Sequence, residues 1–194
     1  VTHEYEELSK QLLAITAIDI QLWRCGLHAT LKAEEHTTAL IWCKNNNADY
    51  SSREGCLRLE QVAQLEPLLL IKALHTRLQQ LDVTILENTQ VDSVTVEHDK
   101  VSGIHTSRRF MPCERLLWTT GAWAKTLSAN QDCLEAPAVR PIKGQMIVFK
   151  AEPELLKQIL YHAGHYLIPR KNGLILAGST LENSGFDQAV TQHA

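Results

Sequence analysis

The chain has 194 residues, 44% of them hydrophobic and 21% charged, with a formal net charge of -3. That is enough chain to bury an ordinary globular core in one domain or two, and the scattered basic residues exclude the electrostatic footprint of a nucleic-acid binder. The longest apolar stretch, Pro67 to Ala73 with Lys72 inside it, falls far short of the roughly 20 residues a membrane helix needs, and Val1 to Lys10 is too polar for a secretory leader, so a soluble protein is expected.

Taken in chain order, Tyr5, Leu8, Leu12, Ile15 and Ile18 recur at spacings of three and four and predict an amphipathic helix over Glu4 to Ile18. Ile20 to Arg24 and Leu27 to Leu31 alternate apolar and polar residues around Cys25-Gly26 and predict two strands. Ala33 to Cys43 reads as a helix stopped by Asn45-Asn46-Asn47, and Leu59 to Leu65 as a short one ended by Glu66-Pro67. Ile71, Leu74, Leu78 and Leu81 mark a further helix. Val83 to Leu86, Val91 to Glu97, Val101 to Thr106 and Arg115 to Thr119 are β-rich and separated by turn residues, and Ala122 to Leu127 begins another helix.

The last third carries the clearest signals. Met146 to Phe149 is a short apolar run entered through Lys143-Gly144, and Tyr166 to Pro169 leads through Lys171-Asn172-Gly173 into Leu174 to Gly178. An Asn-Gly between two apolar runs is a strong hairpin signal. Five cysteines, Cys25, Cys43, Cys56, Cys113 and Cys133, form neither a C-x-x-C nor a regular spacing, so no disulfide framework or zinc site is indicated and a reducing cytoplasm is the simplest compartment. His162 and His165 have no carboxylate or cysteine beside them to complete a metal site. No P-loop, nucleophile elbow or Ser/His/Asp arrangement is visible, and no residue stands out as catalytic.

Residue by residue, the bland readings come first. Thr119-Thr120-Gly121-Ala122-Trp123 is a strand-glycine-helix corner, which is ordinary turn chemistry or a place where backbone meets an anionic ligand. Tyr161 and Tyr166 are half-buried packing residues, or rings that exclude water while their hydroxyls orient a polar substrate. Lys143 reads as part of a solvated turn, and Arg140 and Arg170 pair with carboxylates or decorate strand ends, exposed pairing being the default.

Three segments together carry a resemblance: Arg140-Pro141-Ile142-Lys143-Gly144-Gln145, then Tyr161 followed five residues later by Tyr166-Leu167-Ile168-Pro169-Arg170, then Gly178-Ser179-Thr180-Leu181-Glu182 with Gly185-Phe186-Asp187. They resemble the D-amino-acid oxidase family of FAD-dependent oxidoreductases, and within it the glycine oxidase branch linked to thiamine biosynthesis. The likeness is weaker, though in order, over Leu81 to Leu127 and Ile18 to Pro67.

The resemblance implies an α+β, mixed fold: an antiparallel-rich substrate-domain sheet with flanking helices, plus a partial FAD-binding domain lacking the N-terminal dinucleotide-binding βαβ unit. The implied layout is substrate domain over 1–70, FAD-binding domain over 71–128 and substrate domain again over 129–194. FAD is the implied cofactor, approached by Val91, Thr120, Gly121, Trp123, Gly144 and Gln145, with Tyr161 and Tyr166 binding a small amino acid or amine. The implied reaction passes hydride from the substrate Cα–N bond to the flavin, after which the imine hydrolyses to an oxo acid and ammonia. The two tyrosines and the Gly121 corner are expected to converge on one flavin-sized cleft. No G-x-G-x-x-G occurs in the 194 residues, and the connection after Pro67 is shorter than the resemblance leads one to expect. Opening on Val1 and stopping at Ala194, the chain reads as a middle section; the alternative function is a truncated, non-catalytic homologue or isolated domain that does not retain flavin, and self-association as a homo-oligomer is compatible with either reading.

Overall fold

The computed structural model describes residues 2–125, 139–152 and 155–192. Two compact units emerge: one comprises Val1–Val83, Gly144–Thr180 and Gln192–Ala194, the other Thr84–Lys143 and Leu181–Thr191. The architecture is mixed α and β, with one large mixed sheet and one small antiparallel sheet.

The first unit contains helices α1 (Thr2–Thr16), α2 (Ala33–Asn45) and α3 (Pro67–Gln80) and strands β1 (Leu27–Thr30), β2 (Ser51–Arg53), β3 (Cys56–Leu59), β7 (Met146–Lys150), β8 (Ile159–His162), β9 (His165–Pro169) and β10 (Leu174–Gly178). Its strands among the described residues form a seven-stranded sheet in the order β2-β3-β1-β8-β9-β10-β7. Every neighbouring pair is antiparallel except β1 and β8, which run parallel.

Local chemistry explains most of these elements. Helix α2 opens with Glu34 and Glu35 and closes with Lys44, each placed favourably against the helix dipole. The Glu35 carboxylate also accepts the Lys32 N–H at 3.0 Å, and Asn47 beyond the helix end takes φ +49°. The β9–β10 hairpin forms as read from Asn172-Gly173. Gly173 N–H donates to the Arg170 carbonyl at 3.1 Å, and positive φ falls on Gly173 at +81° but not on Asn172, so the loop is a three-residue turn with a glycine bulge.

Five expected elements differ. Only a single bridge, Trp23 with Gln64, stands where Ile20 to Arg24 reads as a strand. The stretch read as a helix over Leu59 to Leu65 instead closes β3 at Leu59 and runs on through a turn to the Gln64 bridge, and Pro67 starts a helix rather than ending one, because proline at the first helical position sacrifices no hydrogen bond. Neither Val83 to Leu86 nor Arg115 to Thr119 forms a strand; Phe110–Pro112 does, as β6. The helix read from Ala122 begins as a 3-10 turn, Gly121–Trp123, and its continuation past Lys125 lies outside the described residues, as does Cys133.

Two cores hold the first unit together. Leu12, Ile20 and Ala73 join α1 to α3, with Leu8, Ile18, Leu22, Leu65 and Leu70 around them. Ala29, Cys43 and Leu57 seat α2 on the sheet, with Tyr161 packed against them. The second unit holds an antiparallel meander of β4 (Val91–Glu97), β5 (Lys100–Thr106) and β6, with Val94 fully buried. Gly103 on β5 is required by close packing, since a Cβ there would meet Phe110 Cζ at 2.3 Å and the Met111 carbonyl at 2.7 Å.

Candidate active-site residues

One row of side chains crosses the large sheet. Leu57 on β3 stands opposite Ala29, Ala29 opposite Tyr161, Tyr161 opposite Tyr166, Tyr166 opposite Gly178, and Gly178 opposite Met146. Directly opposed residues on neighbouring strands share a face, so Tyr161 and Tyr166 lie side by side on the face that α2 partly covers. Gly178 leaves room for this arrangement: a Cβ there would come within 2.8 Å of Met146 Cγ and 3.0 Å of the Tyr166 hydroxyl oxygen. The Tyr166 hydroxyl donates to Met146 Sδ at 3.2 Å.

Under α2 the same face opens into a cavity of about 650 Å³, with Leu27, Ala29, Leu57, Leu59 and Tyr161 on the sheet side and Ala39 and Trp42 on the helix side. The cavity depends on β1 and β8 pairing across more than a hundred residues, and no sequence periodicity reports that pairing.

Past Gly178 the β7–β10 pairing continues irregularly. Gln145 N–H donates to Thr180 Oγ1 at 2.9 Å, and Thr180 N–H to the Gln145 carbonyl at 3.2 Å. A Cβ on Gly144 would stand 3.2 Å from the Thr180 carbonyl, so this glycine serves the chain's own backbone approach.

In the second unit, Lys143 corrects its reading as a solvated turn. Its side chain is only 9% exposed, and its ammonium donates to Asp187 Oδ2 at 3.1 Å and to the Ala189 carbonyl, with Glu182 at 3.8 Å. Backbone bonds in both directions also join Lys143 to Glu182, at 3.0 and 2.9 Å. The Asp187 carboxyl is held below its ordinary pKa, first by the Ala189 N–H and then by Lys143. The Lys-Gly-Gln segment and the segment ending Gly-Phe-Asp are therefore locked to each other by Lys143. Arg170, in the first unit, is likewise no exposed decoration: its side chain is 9% exposed and it reaches Gln64 Oε1, the Leu65 carbonyl and, at 3.5 Å, Glu66.

The glycine corner of the second unit is open. Gly121 takes φ +54° with no atom within 4 Å of where a Cβ would sit. Trp118 Nε1 donates to Thr120 Oγ1 at 2.6 Å, and Trp123, half exposed, stacks on Phe186 with ring centroids 5.5 Å apart and planes 20° off parallel. Phe186 was not among the residues singled out from the sequence; only its place beside Asp187 in the Gly-Phe-Asp segment hinted at it. Val91 begins β4, whose outer edge has no strand partner among the described residues. His162 and His165 stand opposite each other across the β8–β9 turn, and among the described residues no group of three or more His, Cys, Asp or Glu side chains could hold a metal ion.

The family described as FAD dependent oxidoreductase matches residues 2–194. The chain belongs to that family. It is 32% identical to a glycine oxidase of Pseudomonas aeruginosa over 207 aligned residues, which cover 98% of this chain and 56% of the relative. It is 28% identical to the hydrogen cyanide synthase subunit HcnC of Pseudomonas protegens, over 96% of this chain and 50% of that protein. Its fold superposes on the crystal structure of glycine oxidase from Geobacillus kaustophilus with a TM-score of 0.87 at 21% identity, covering 99% of this chain and 57% of that one. The chain thus spans about half the length of the relatives it matches.

The second unit's residues fit what such a family's cofactor requires. An uncrowded glycine in left-handed conformation admits close approach of a phosphate or ribityl chain, an exposed indole offers a flat apolar surface to a ring, and an unpaired strand edge offers backbone donors and acceptors. Tyr161, Tyr166, Gly144 and Gln145 fall in the first unit, and Val91, Thr120, Gly121 and Trp123 in the second.

Proposed function

We propose that the chain is part of a glycine oxidase-like enzyme that uses FAD to oxidise the Cα–N bond of glycine or a similarly small amine. The observation that carries this reading is the Tyr161–Tyr166 pair, set side by side on one sheet face in a chain of this family. When bound, FAD would supply the acceptor for the hydride that leaves the substrate carbon. Tyr166 orients the substrate: its hydroxyl now rests on a thioether, a weak acceptor, and exchanging that for a substrate carboxylate gains a charge-assisted bond roughly twice as strong. Tyr161 supplies an apolar wall that keeps water away, and no side chain is needed as base if the amine arrives neutral. Val91, Thr120, Gly121 and Trp123 approach the cofactor through backbone and ring, with Gly144 and Gln145 shaping the loop ahead of β7. We assign the first unit to substrate and the second to flavin, and the unpaired thiols of Cys25, Cys43, Cys56 and Cys113 suit a reducing cytoplasm.

The test is anaerobic addition of glycine, sarcosine or D-alanine to the FAD-loaded full-length protein while flavin absorbance is followed. Bleaching by one of these amines is expected, and Tyr166→Phe should weaken the apparent affinity by about tenfold, the value of one lost hydrogen bond to a charged group. No bleaching by any amine would sink the reading. The alternative, that these 194 residues alone retain no flavin and turn nothing over, draws on the missing G-x-G-x-x-G and on the apolar residues Ile147, Val148 and Phe149 of β7, each at least half exposed. Gel filtration of this chain with added FAD separates the two: co-eluting yellow colour refutes the alternative.

A further inference from the structure

We propose that Met146 is a peroxide-oxidation site whose sulfoxide captures the Tyr166 hydroxyl. Met146 is 53% exposed at the edge of the sheet, and its sulfur already accepts the Tyr166 hydroxyl at 3.2 Å. Oxidation is balanced: the thioether sulfur gives an electron pair to one peroxide oxygen, the O–O bond breaks, and methionine sulfoxide and water are formed. The new S=O oxygen is a far stronger acceptor than the sulfur it replaces, and it arises next to a donor already aimed at that position. Tyr166 would then no longer be free to exchange its partner for a substrate. Gly178 is what lets the two side chains meet, since a Cβ there would come within 2.8 Å of Met146 Cγ and 3.0 Å of the Tyr166 hydroxyl oxygen. The proposal rests on the functional reading only for the origin of the oxidant, since an amine oxidase that returns its electrons to oxygen releases peroxide beside its own substrate residues.

The chain contains two methionines, so Met111 on β6, partly buried, is an internal control. The full-length protein is exposed to graded hydrogen peroxide and mapped by peptide mass spectrometry. Met146 is expected to gain one oxygen several-fold faster than Met111, and equal or slower oxidation of Met146 overturns the proposal. A second measurement reads the captured hydroxyl without any turnover. Nitration of Tyr166 by tetranitromethane, which attacks the phenolate, should slow after peroxide treatment and recover on incubation with methionine sulfoxide reductases, and peroxide should leave the rate unchanged in Met146→Leu. Nitration of the wild type unaffected by Met146 oxidation refutes the capture. Neither measurement uses an amine substrate, so a failure here is distinct from a failure of the proposed oxidation.

Discussion

Gly178→Ala probes the tyrosine row most directly. The added methyl carbon would lie 2.8 Å from Met146 Cγ, 3.0 Å from the Tyr166 hydroxyl oxygen and 3.1 Å from Tyr166 Cε2. Comfortable carbon contacts are about 3.5–4.0 Å, so roughly 1 Å must be found on the Met146 side. Overpacking of this kind costs about 1–3 kcal/mol, and the loss of glycine's extra freedom in the unfolded chain returns about 0.4–1 kcal/mol. A net destabilisation of about 1–2 kcal/mol follows, which for a chain of this size lowers the melting temperature by about 2–8 °C. Thermal unfolding of Gly178→Ala, Met146→Ala and the double variant checks it. Met146→Ala removes the nearest obstructing atom, so the double variant should be more stable than the two single effects predict by at least about 0.5 kcal/mol. Additive single effects would show that Gly178, Met146 and Tyr166 do not share the space the structure gives them.

Three further outcomes are expected. Arg170→Met removes a largely buried guanidinium from Gln64, Leu65 and Glu66 and should cost about 2–4 kcal/mol in chemical denaturation, more than any exposed arginine on the same unit. The Asp187 carboxyl, held below its ordinary pKa, contributes stability that is present above its unfolded-state pKa and lost as pH falls through the lower folded one; Lys143→Met removes the second and third causes of that shift, so stability should fall less steeply on acidification than in the wild type, as measured by unfolding across the acidic range. The Cys43 thiol, fully buried and with its pKa raised by burial, should be the last of Cys25, Cys43, Cys56 and Cys113 to react with iodoacetamide under native conditions, with labelled peptides giving the order.

What the chain announces by itself is what neighbours in sequence can decide. The apolar spacing of Leu8 and Leu12 reports α1, the charges at either end of α2 and the asparagines after it report its limits, and Asn172-Gly173 reports the β9–β10 turn, because helix and hairpin hydrogen bonds close within a few residues. The same local reading fails at Leu59 to Leu65, whose apolar spacing suits a helix but whose backbone is taken by distant chain, Leu59 pairing with β1 and Gln64 bridging to Trp23. It fails again at Lys143 and Arg170, since a charged residue beside a turn is exposed unless distant chain covers it; Glu182, Asp187 and Ala189 do so for one, and Gln64 to Glu66 for the other. The two tyrosines were candidates through the resemblance their segment carries; read alone they fit half-buried packing residues as well. Their opposition is a local contact across the tight β8–β9 hairpin; what depended on strands joined across more than a hundred residues is the cavity beside Tyr161, roofed where β1 pairs with β8, and such contacts exist only once loop closure has been offset by the packing of the whole sheet.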